Sequence, residues 1–389
     1  MDNIGDMIKD SLKSYMCELN GLREEIHRKP ELGYKEYNTT KLIKEFLNKK
    51  EVEFYNFDNL TGGYAYIDCK KDKTIGFRAD IDALPILENT CINFKSENKG
   101  TMHACGHDVH ITIAAGIAVI LNSLKEYLNY NVAIIFQPAE ESNPNGGARL
   151  IIEQGIIDKL NLSEIYGLHV WPKYNVGQIA IKEGPLMGSS DKFTIKVIGK
   201  NAHAAEPHIG VDAISIAIDI INAIEHKLRR EIDPFEVALV SIGSINSTGR
   251  YNVICDNVEI GGTIRTISKS TRTFVHRRIE EISTQIANAF NGEVIVDISD
   301  GYPVLENNGE LSRRFIKYST NYLGESNVIT NINPSLIGED FSFYCTEVPS
   351  LYFFLGCESK YSLHSDKFLP KEGTIYTGID LMSKYILSR

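Results

Sequence analysis

The sequence predicts an α/β protein in which a mostly parallel sheet is flanked by helices and a smaller α+β domain is inserted. Three observations support this fold class. The chain has 389 residues, which is long for a single hydrophobic core. Short apolar runs alternate with helical patterns near both ends of the chain, which is typical of a parallel sheet. The middle of the chain follows the order β-α-β-β-α-β instead, which is the ferredoxin-like pattern.

The composition excludes several kinds of partner. The formal net charge is −10, so no binding to nucleic acid or to an anionic membrane is expected, because both need a basic surface. No apolar stretch is long enough to span a bilayer, and the first residues lack the basic start and apolar core of a signal peptide. The seven cysteines are scattered and form no CxxC motif, so they are not a disulfide framework. We therefore expect a cytoplasmic protein.

The N-terminal part of the chain leads to a pair of carboxylates. Residues 11–49 carry apolar side chains at helical spacing, and Pro30 predicts a turn between two helices. Further on, the short apolar run 74–77 leads directly into Asp80 and Asp82. Ligands bind at the carboxyl ends of strands in open α/β sheets, so this acidic pair is a candidate site.

The densest group of possible metal ligands lies at residues 102–110, which read Met-His-Ala-Cys-Gly-His-Asp-Val-His. Histidine, cysteine and aspartate all donate to metals once deprotonated. Gly106 allows the backbone to turn sharply between Cys105 and His107. The apolar residues 111–128 predict a buried helix directly afterwards, and its positive end would favour a thiolate at Cys105.

Two more predicted strands end beside possible ligands. The apolar run 132–136 precedes Glu140 and Glu141, and the run 165–168 ends at His169. Because neighbouring side chains on a strand diverge, one glutamate could hold a metal while the other acts on water as a general base. A solvated surface pair is the ordinary alternative for adjacent glutamates, but a position after a buried strand disfavours it.

The character of the sequence changes near residue 188. We predict an inserted domain at 188–297 and a catalytic domain formed by 1–187 and 298–389. The inserted domain is expected to contain strand 191–198, helix 211–230, strands 237–245 and 257–266, helix 273–289 and a strand at 293–296. After it, strand and helix alternate again, His364 lies in a loop, and a helix over 373–388 closes the chain.

These residues supply enough donors for two divalent ions with an open position for water. A mixture of thiolate and imidazole favours a zinc-like ion, and additional carboxylates admit Mn or Co. A metal-free alternative would use Cys105 as a nucleophile and His107 as its base. That alternative leaves three candidate ligands without a function, namely Glu141, His169 and His364.

Seven motifs in a fixed order carry a family resemblance along nearly the whole chain. The chain resembles the dinuclear-metal amidohydrolases of the aminoacylase and carboxypeptidase G superfamily. More narrowly, it is similar to the branch with hippurate hydrolases, auxin-conjugate hydrolases and N-acetyldiaminopimelate deacetylases. The resemblance implies a zinc-peptidase-like catalytic domain and an inserted lid and dimerisation domain. The motifs are His-Arg-Lys-Pro-Glu-Leu-Gly (27–33), Arg-Ala-Asp-Ile-Asp-Ala-Leu-Pro (78–85), Met-His-Ala-Cys-Gly-His-Asp (102–108), Gln-Pro-Ala-Glu-Glu (137–141), Gly-Leu-His-Val (167–170), Gly-Glu-Asp-Phe-Ser (338–342) and Leu-His-Ser-Asp (363–366).

The resemblance also implies residue roles in the catalytic domain. Two divalent ions per subunit, from among Mn, Zn, Co and Ni, would be bound there. Cys105 would stand where other branches have a bridging aspartate, and Glu140 would be the general base. Asp80 and Asp82 would support the site, with Asp82 favoured as the orienting residue. The implied metal ligands are Cys105, His107, Glu141, His169 and His364.

In the inserted domain, the resemblance implies three functional residues and a homodimer. His203 would reach the partner subunit's active site and stabilise the oxyanion of the tetrahedral intermediate. Asn252 and Arg265 would bind the substrate carboxylate, with Arg265 able to do so bidentately. The plainer alternatives are a solvated loop histidine for His203 and a salt bridge on an exposed sheet face for Arg265.

The leading hypothesis is metal-dependent hydrolysis of the amide bond of N-acetyl, N-benzoyl or aryl-acetyl amino acids. Metal-activated water would attack the acyl carbon, and Glu140 would move the proton. The enzymatic alternatives are a dipeptidase or aminopeptidase and an N-acetyldiaminopimelate deacetylase of lysine synthesis. The non-enzymatic alternative is a protein that only binds an acyl-amino acid, but the intact ligand set disfavours it. Supporting positions around the ligands are expected for His103, Asp108 and His110.

Overall fold

The computed structural model of the chain describes residues 2–389, with side chains from residue 5 onward. Its first part is a sequence of helices and strands that ends where the inserted segment begins. These elements are α1 (Asp2–Arg28), α2 (Tyr37–Asn48), β1 (Phe54–Asn56), β2 (Gly63–Ile67), β3 (Thr74–Asp80), α3 (His107–Ser123), β4 (Asn131–Gln137), α4 (Gly147–Glu153), α5 (Ile156–Lys159), β5 (Leu162–Trp171), β6 (Ile179–Ala180) and β7 (Gly184–Met187).

The middle and the end of the chain contain the remaining elements. The middle part contains β8 (Ser190–Ile198), α6 (Ala213–His226), β9 (Ala238–Ser247), β10 (Asn257–Thr266), α7 (Lys269–Ala289) and β11 (Glu293–Tyr302). The last part contains β12 (Leu305–Asn307), α8 (Gly309–Leu323), β13 (Val328–Ile329), α9 (Ser342–Glu347), β14 (Ser350–Gly356) and α10 (Thr374–Leu387).

The chain divides into two compact units. The large unit runs to Leu186 and resumes over Glu306–Asn333 and Asp340–Arg389. The small unit consists of Met187–Leu305 together with Pro334–Glu339. Each unit has its own cluster of buried apolar side chains. Among residues 2–389, none of the helices combines the length and the apolar character that crossing a bilayer requires.

The large unit is built on an eight-stranded sheet with the order β1-β2-β4-β3-β5-β14-β6-β13. The strands β4, β3, β5 and β14 form its parallel centre. Every residue of β3, β4 and β14 is buried, as expected for parallel strands covered on both faces. Helix α3 packs against α1 and α10 and is buried from His107 through Leu121. The predicted α/β class with a mostly parallel sheet is confirmed.

The small unit is an antiparallel sheet with the order β11-β8-β10-β9, and α6 and α7 pack on it. Phe193, Ile195 and Val197 on β8 alternate with Lys192 and Lys196, so one face of the strand is buried and the other is not. The chain order of these elements is the predicted β-α-β-β-α-β.

The element boundaries differ from prediction where capping or strand length decides them. The buried helix predicted to begin at residue 111 begins at His107, because Gly106 adopts a left-handed conformation and acts as its N-cap. The two-residue strands β6 and β13 were not predicted, because such short segments carry no periodic pattern.

Candidate metal centre and active site

The carboxyl ends of the parallel strands lie along one edge of the large sheet and carry the candidate site. Asp80 is the last residue of β3, and His169 lies two residues before the end of β5. The turn after β4 carries Glu140 and Glu141. Because β3 pairs in parallel with both β4 and β5, these strand ends meet at the same edge.

Five predicted ligands converge around one sulfur atom. Cys105 Sγ lies 3.3 Å from His169 Nε2 and 3.3 Å from His364 Nε2. His364 Nε2 lies 3.2 Å from Glu141 Oε1. The donor atoms of Cys105, His107 and His169 lie within 4.8 Å of one another, and so do those of Cys105, Glu141 and His364. Cys105 therefore belongs to two groups of possible ligands that overlap at its sulfur.

Main-chain carbonyls orient two of the imidazole rings. His107 Nδ1 lies 2.8 Å from the carbonyl oxygen of Asp82, and His169 Nδ1 lies 2.8 Å from that of Val170. A carbonyl oxygen only accepts hydrogen bonds, so Nδ1 carries a proton in both rings and Nε2 is the nitrogen left for a metal. Nε2 of His107 is buried and makes no hydrogen bond in the described part of the chain. Both rings thus present Nε2 to the centre of the site, where it can bind a metal once it is unprotonated.

Gly106 is required for the approach of Cys105 and His107 to the strand ends. Its φ is +88°, and a Cβ atom there would lie 2.5 Å from Cγ2 of Val170. Both the backbone conformation and the close packing therefore require glycine. The sharp turn inferred from the sequence at this position is present.

A buried network around Arg78 supports the ligand cluster. The Arg78 guanidinium donates to Asp80 at 2.8 Å and to Asp340 at 2.5 Å, and its Nε donates to Gln137 at 2.8 Å. All the groups that it contacts are buried. His110 Nε2 accepts the amide of Val170 at 2.9 Å, so its Nδ1 donates to Asp80 at 2.6 Å.

Sequence reasoning assigned no role to Arg78 or Asp340, although both lie in motifs quoted for the family resemblance. The sequence feature that could have indicated a role for Arg78 is its position inside the apolar strand β3, because a buried guanidinium needs anionic partners. His110 occupies a supporting position of the kind expected for it, in contact with Asp80.

Electrostatics in the cluster favour added positive charge. Burial disfavours an imidazolium at His107, but Asp80, Asp82 and Glu141 raise its pKa to about 10. Burial raises the pKa of the Cys105 thiol well above its usual range, and the carboxylates of Glu141 and Glu140 raise it further. The expectation that the start of α3 would favour a thiolate is therefore wrong for these residues taken alone.

The two adjacent glutamates do not diverge as predicted. Strand β4 ends at Gln137, so Glu140 and Glu141 lie in the following turn and the alternation of a strand does not apply. Oxygen atoms of both carboxylates lie within 4.8 Å of each other and of a His107 ring nitrogen. The amide of Glu141 donates to Asp82 at 2.8 Å, which fixes the backbone after Glu140.

The other three predicted site residues lie in the small unit. His203 is exposed, and its Nδ1 accepts the amide of Ala205 at 3.1 Å, which leaves Nε2 as the protonated nitrogen. Asn252 is exposed on the adjoining segment, and its main-chain carbonyl oxygen accepts a hydrogen bond from the amide of Ala204 at 3.0 Å. Arg265 lies on β10 and is half-buried.

A second group of possible metal ligands in the small unit has a simpler explanation. It comprises Asp191, His276 and Asp300. The Asp191 carboxylate accepts from Arg272 Nε at 2.9 Å and Nη2 at 2.6 Å, from His276 Nε2 at 3.0 Å and from the Gly301 amide at 3.0 Å. A guanidinium already balances this carboxylate, so we interpret the group as a structural ion cluster.

The geometry does not pair Cys105 with the base that the metal-free thiol mechanism was expected to use. The imidazoles that contact the Cys105 sulfur are those of His169 and His364, whereas His107 was its expected base. Burial holds the pKa of His169 well below its usual range, and the neighbouring His110 lowers it further. His169 is therefore a poor acceptor for the thiol proton.

Comparisons with known proteins identify the family. The family model for "Peptidase family M20/M25/M40" matches residues 76–388. The chain belongs to peptidase family M20/M25/M40. Among curated relatives, it is 37% identical to thermostable carboxypeptidase 1 of Saccharolobus solfataricus over 381 residues, covering 96% of this chain and 95% of the relative. It is 35% identical to the N-acetyldiaminopimelate deacetylase of Listeria innocua over 374 residues, covering 96% and 99%.

A solved structure of the M20 family has the same fold. It is a Bacillus subtilis protein described as a dinuclear metal binding peptidase, with a TM-score of 0.85 and 31% identity over 97% of this chain and 98% of that one. The predicted family resemblance is thus confirmed, and so is the prediction of an amide-hydrolysing enzyme.

A buried ion cluster lies at the first turn of α3 in this M20 chain. Asp108 accepts from Arg23 Nε at 3.0 Å and lies 3.0 Å from His27 Nδ1. His27 Nε2 lies 3.3 Å from Glu88. Burial disfavours the imidazolium, but the carboxylates of Asp108 and Glu88 outweigh burial and raise the pKa of His27 to about 9. These contacts anchor the helix that begins with His107.

We expect the stability of the metal-free protein to fall as the pH rises toward 9. Because the pKa of His27 is raised from 6.5 to about 9, its contribution is fully present below pH 6.5 and is lost as the pH passes about 9. The loss is at most about 3.5 kcal/mol, since one pKa unit corresponds to about 1.4 kcal/mol. The measurement is the free energy of unfolding by urea across this range, with a chelator present. His27→Asn should make the slope shallower without abolishing it, since the raised pKa of His107 gives a slope of the same sign, and an equal slope in both proteins would contradict the assignment.

Proposed function

We propose that this M20 enzyme hydrolyses the amide bond of N-acyl amino acids with two divalent metal ions. The observation that carries the proposal is the pair of overlapping donor groups that share Cys105, with the buried carboxylate of Glu140 beside them. The relatives named as a deacetylase and a carboxypeptidase also cleave bonds of this class, judged by their names. The finer choice of N-acyl amino acids over dipeptides is part of the proposal.

The residues present fit a metal pair. The residues that would hold the ions are Cys105, His107, Glu141, His169 and His364. The buried Nε2 of His107 makes no hydrogen bond among the described residues, and its surroundings favour positive charge, which a metal ion would supply in place of a proton. The mixture of S, N and O donors admits Mn, Zn, Co or Ni. When bound, such ions would acidify water and polarise the amide carbonyl.

Glu140 is the proposed general base. It is 6% exposed, so its carboxylate is largely withdrawn from bulk water. It would take a proton from the attacking water and return that proton to the departing nitrogen. Asp82 supports this arrangement through the Glu141 amide and lies beside the His107 ring, and Asp80 supports it through His110. His203 would donate from its protonated Nε2 to the oxyanion.

The substrate carboxylate is assigned to Arg265 and Asn252. Arg265 makes no hydrogen bond or ion pair in the part of the chain that the structure describes, and its electrostatic neighbour is Asp191. A half-buried guanidinium with its donors available can bind a carboxylate bidentately. This favours substrates that end in a free carboxylate, as N-acyl amino acids do.

The small unit is the proposed dimerisation surface. Strand β9 is an edge strand with Leu239 and Ile245 exposed, and α6 exposes Ile214 and Ile218 one turn apart. An exposed apolar edge strand is a template for pairing with another chain. We propose that a second copy covers this surface and that His203 serves the partner's site.

None of the seven cysteines forms a disulfide bond, which supports a reducing compartment such as the cytoplasm.

Two variants separate the proposed roles of base and ligand. Glu140→Gln should retain the wild-type metal content and lose about 10²- to 10⁴-fold in kcat, because the proton acceptor is removed. Cys105→Ser should lose metal, because a hydroxyl is a poorer ligand than a thiolate for these ions. The measurements are elemental analysis after gel filtration and turnover on the same preparation. Near-normal turnover of Glu140→Gln would refute its role as the base.

A substrate panel tests the reaction itself. We expect higher kcat/KM on N-acetyl, N-benzoyl or indole-acetyl amino acids, including N-acetyldiaminopimelate, than on free dipeptides. The wild type should prefer each acid to its C-terminal carboxamide, and Arg265→Met should weaken use of the acid by about 10- to 100-fold, the value of a charged hydrogen bond. The carboxamide serves as the control, since Arg265→Met should leave kcat/KM for the carboxamide unchanged. A preference for dipeptides, or binding of the acyl-amino acids without cleavage, would instead support one of the alternatives.

The dimer has its own test. The double variant Ile218→Arg and Ile245→Arg should be monomeric in light scattering, because charge opposes burial of the surface. It should keep its metal and lose about 10²- to 10³-fold in kcat, the usual effect of removing an oxyanion donor. Ile295→Arg on the opposite edge strand β11 is the matched control and should change neither property. A fully active monomer would argue against a role for His203 in the partner.

A further inference from the structure

The turn that carries Glu140 has an unusual backbone. Ala139, the residue immediately before Glu140, has φ of +59°. Residues other than glycine seldom adopt this conformation, and it persists only when surrounding groups hold it. Ala139 is fully buried, so the holding groups have to come from the interior of the large unit.

Two carboxylates bind the backbone amides on either side of Glu140. The Ala139 amide donates to Glu36 Oε1 at 2.8 Å, and the Glu141 amide donates to Asp82 Oδ2 at 2.8 Å. Asp82 was among the predicted site residues, but Glu36 was not. The two contacts fix the chain one residue before and one residue after the proposed base.

Glu36 is itself held rigidly. Its side chain is buried, and Thr61 Oγ1 donates to its Oε2 at 2.5 Å. Its carbonyl oxygen accepts the amide of Thr40 at 2.9 Å and the Thr40 hydroxyl at 2.6 Å, at the start of α2. A carboxylate in this setting acts as a fixed acceptor for the Ala139 amide.

We propose that Glu36 is a positioning residue for Glu140 and that it acts through the Ala139 amide. This inference rests on the proposed role of Glu140 as the general base. Glu36 holds the left-handed turn, and the turn aims the Glu140 carboxylate at the attacking water. The hydrogen bond between Asp82 and the Glu141 amide does not include Glu36, so the backbone at Glu141 should keep this contact when Glu36 is changed.

The side chain of Glu36 acts here as a hydrogen-bond acceptor, and its charge is not needed. Burial and the charge of Asp82 raise the pKa of Glu36 to about 7, against the hydrogen bonds from Thr61 and Ala139, which lower it. A neutral group of equal length still offers an oxygen to the Ala139 amide. Glu36→Gln should therefore preserve the function that Glu36→Ala removes.

The test compares kcat, KM and metal content for Glu36→Ala and Glu36→Gln. Glu36→Ala should lower kcat by about 10²-fold, as expected when a catalytic group is displaced by about 1 Å, with KM and metal content near the wild-type values. Glu36→Gln should recover kcat to within about threefold. If Glu36→Ala does not fold, Glu36→Asp replaces it, since the shorter side chain keeps the charge but retracts from Ala139. Glu36→Asp should then have a lower kcat than Glu36→Gln.

Glu31 provides the matched control. Its carboxylate accepts the amides of Asn38 at 3.2 Å and Thr39 at 2.8 Å, so it supports the same stretch of chain without touching the turn. Glu31→Ala should lower the melting temperature and leave kcat unchanged. Equal losses of kcat in Glu31→Ala and Glu36→Ala, or a loss of metal with the kcat loss, would overturn the proposal.

Hydrogen exchange separates this inference from the proposed function. Amides of residues 137–142 should exchange faster in Glu36→Ala than in the wild type or in Glu36→Gln, whatever substrate the enzyme uses. If N-acyl amino acids prove not to be substrates, kcat is measured on the dipeptide that the wild type cleaves. Unchanged exchange in Glu36→Ala would refute the positioning role even if the proposed function is correct.

Discussion

The buried guanidinium of Arg78 is the constraint on which the candidate site depends. A charge without solvent is tolerated only when anions and hydrogen-bond acceptors surround it. Asp80, Gln137 and Asp340 provide these partners from the ends of β3 and β4 and from the segment before α9. Gln137 also donates to Asp340, which closes the network. The strand ends that carry the proposed ligands are thereby fixed to one another by groups that are not among the proposed ligands.

The protonation of the ligand cluster depends on the same balance between buried negative and positive charges. Several carboxylates converge in a region with little water, and Arg78 balances only part of their charge. The pKa of His107 is raised while the pKa of the Cys105 thiol is also raised, so each group tends to hold a proton. Both effects oppose further negative charge. A divalent cation can replace these protons, which is the reason that the residue set suits metal better than free thiol chemistry.

The sequence predicts the architecture better than it predicts the local geometry of the candidate site. The strand and helix alternation and the β-α-β-β-α-β order predict the two sheets correctly, because these patterns reflect burial along whole elements. The side chains that the sequence singles out at strand ends do lie together around Cys105, and their role as metal ligands stays a prediction. The direction of the Cys105 pKa and the relation of Glu140 to Glu141 could not be predicted, because both depend on groups distant in sequence. The role proposed for Glu36 could not be predicted for the same reason, since its contact with Ala139 spans 103 positions.

Much of the site is held by the main chain. The single residue Val170 accepts the ring of His169 at its carbonyl oxygen and offers its amide to His110, while its own side chain takes no part in the chemistry. Asp82 similarly orients His107 with its carbonyl oxygen. An alanine scan would pass over such contributions, because replacing the side chain leaves the amide and the carbonyl in place. A substitution at position 170 that leaves activity unchanged would therefore not show that this residue is unimportant to the site. The positions of the two imidazole rings depend on the main-chain groups of Val170 and on where the backbone places them.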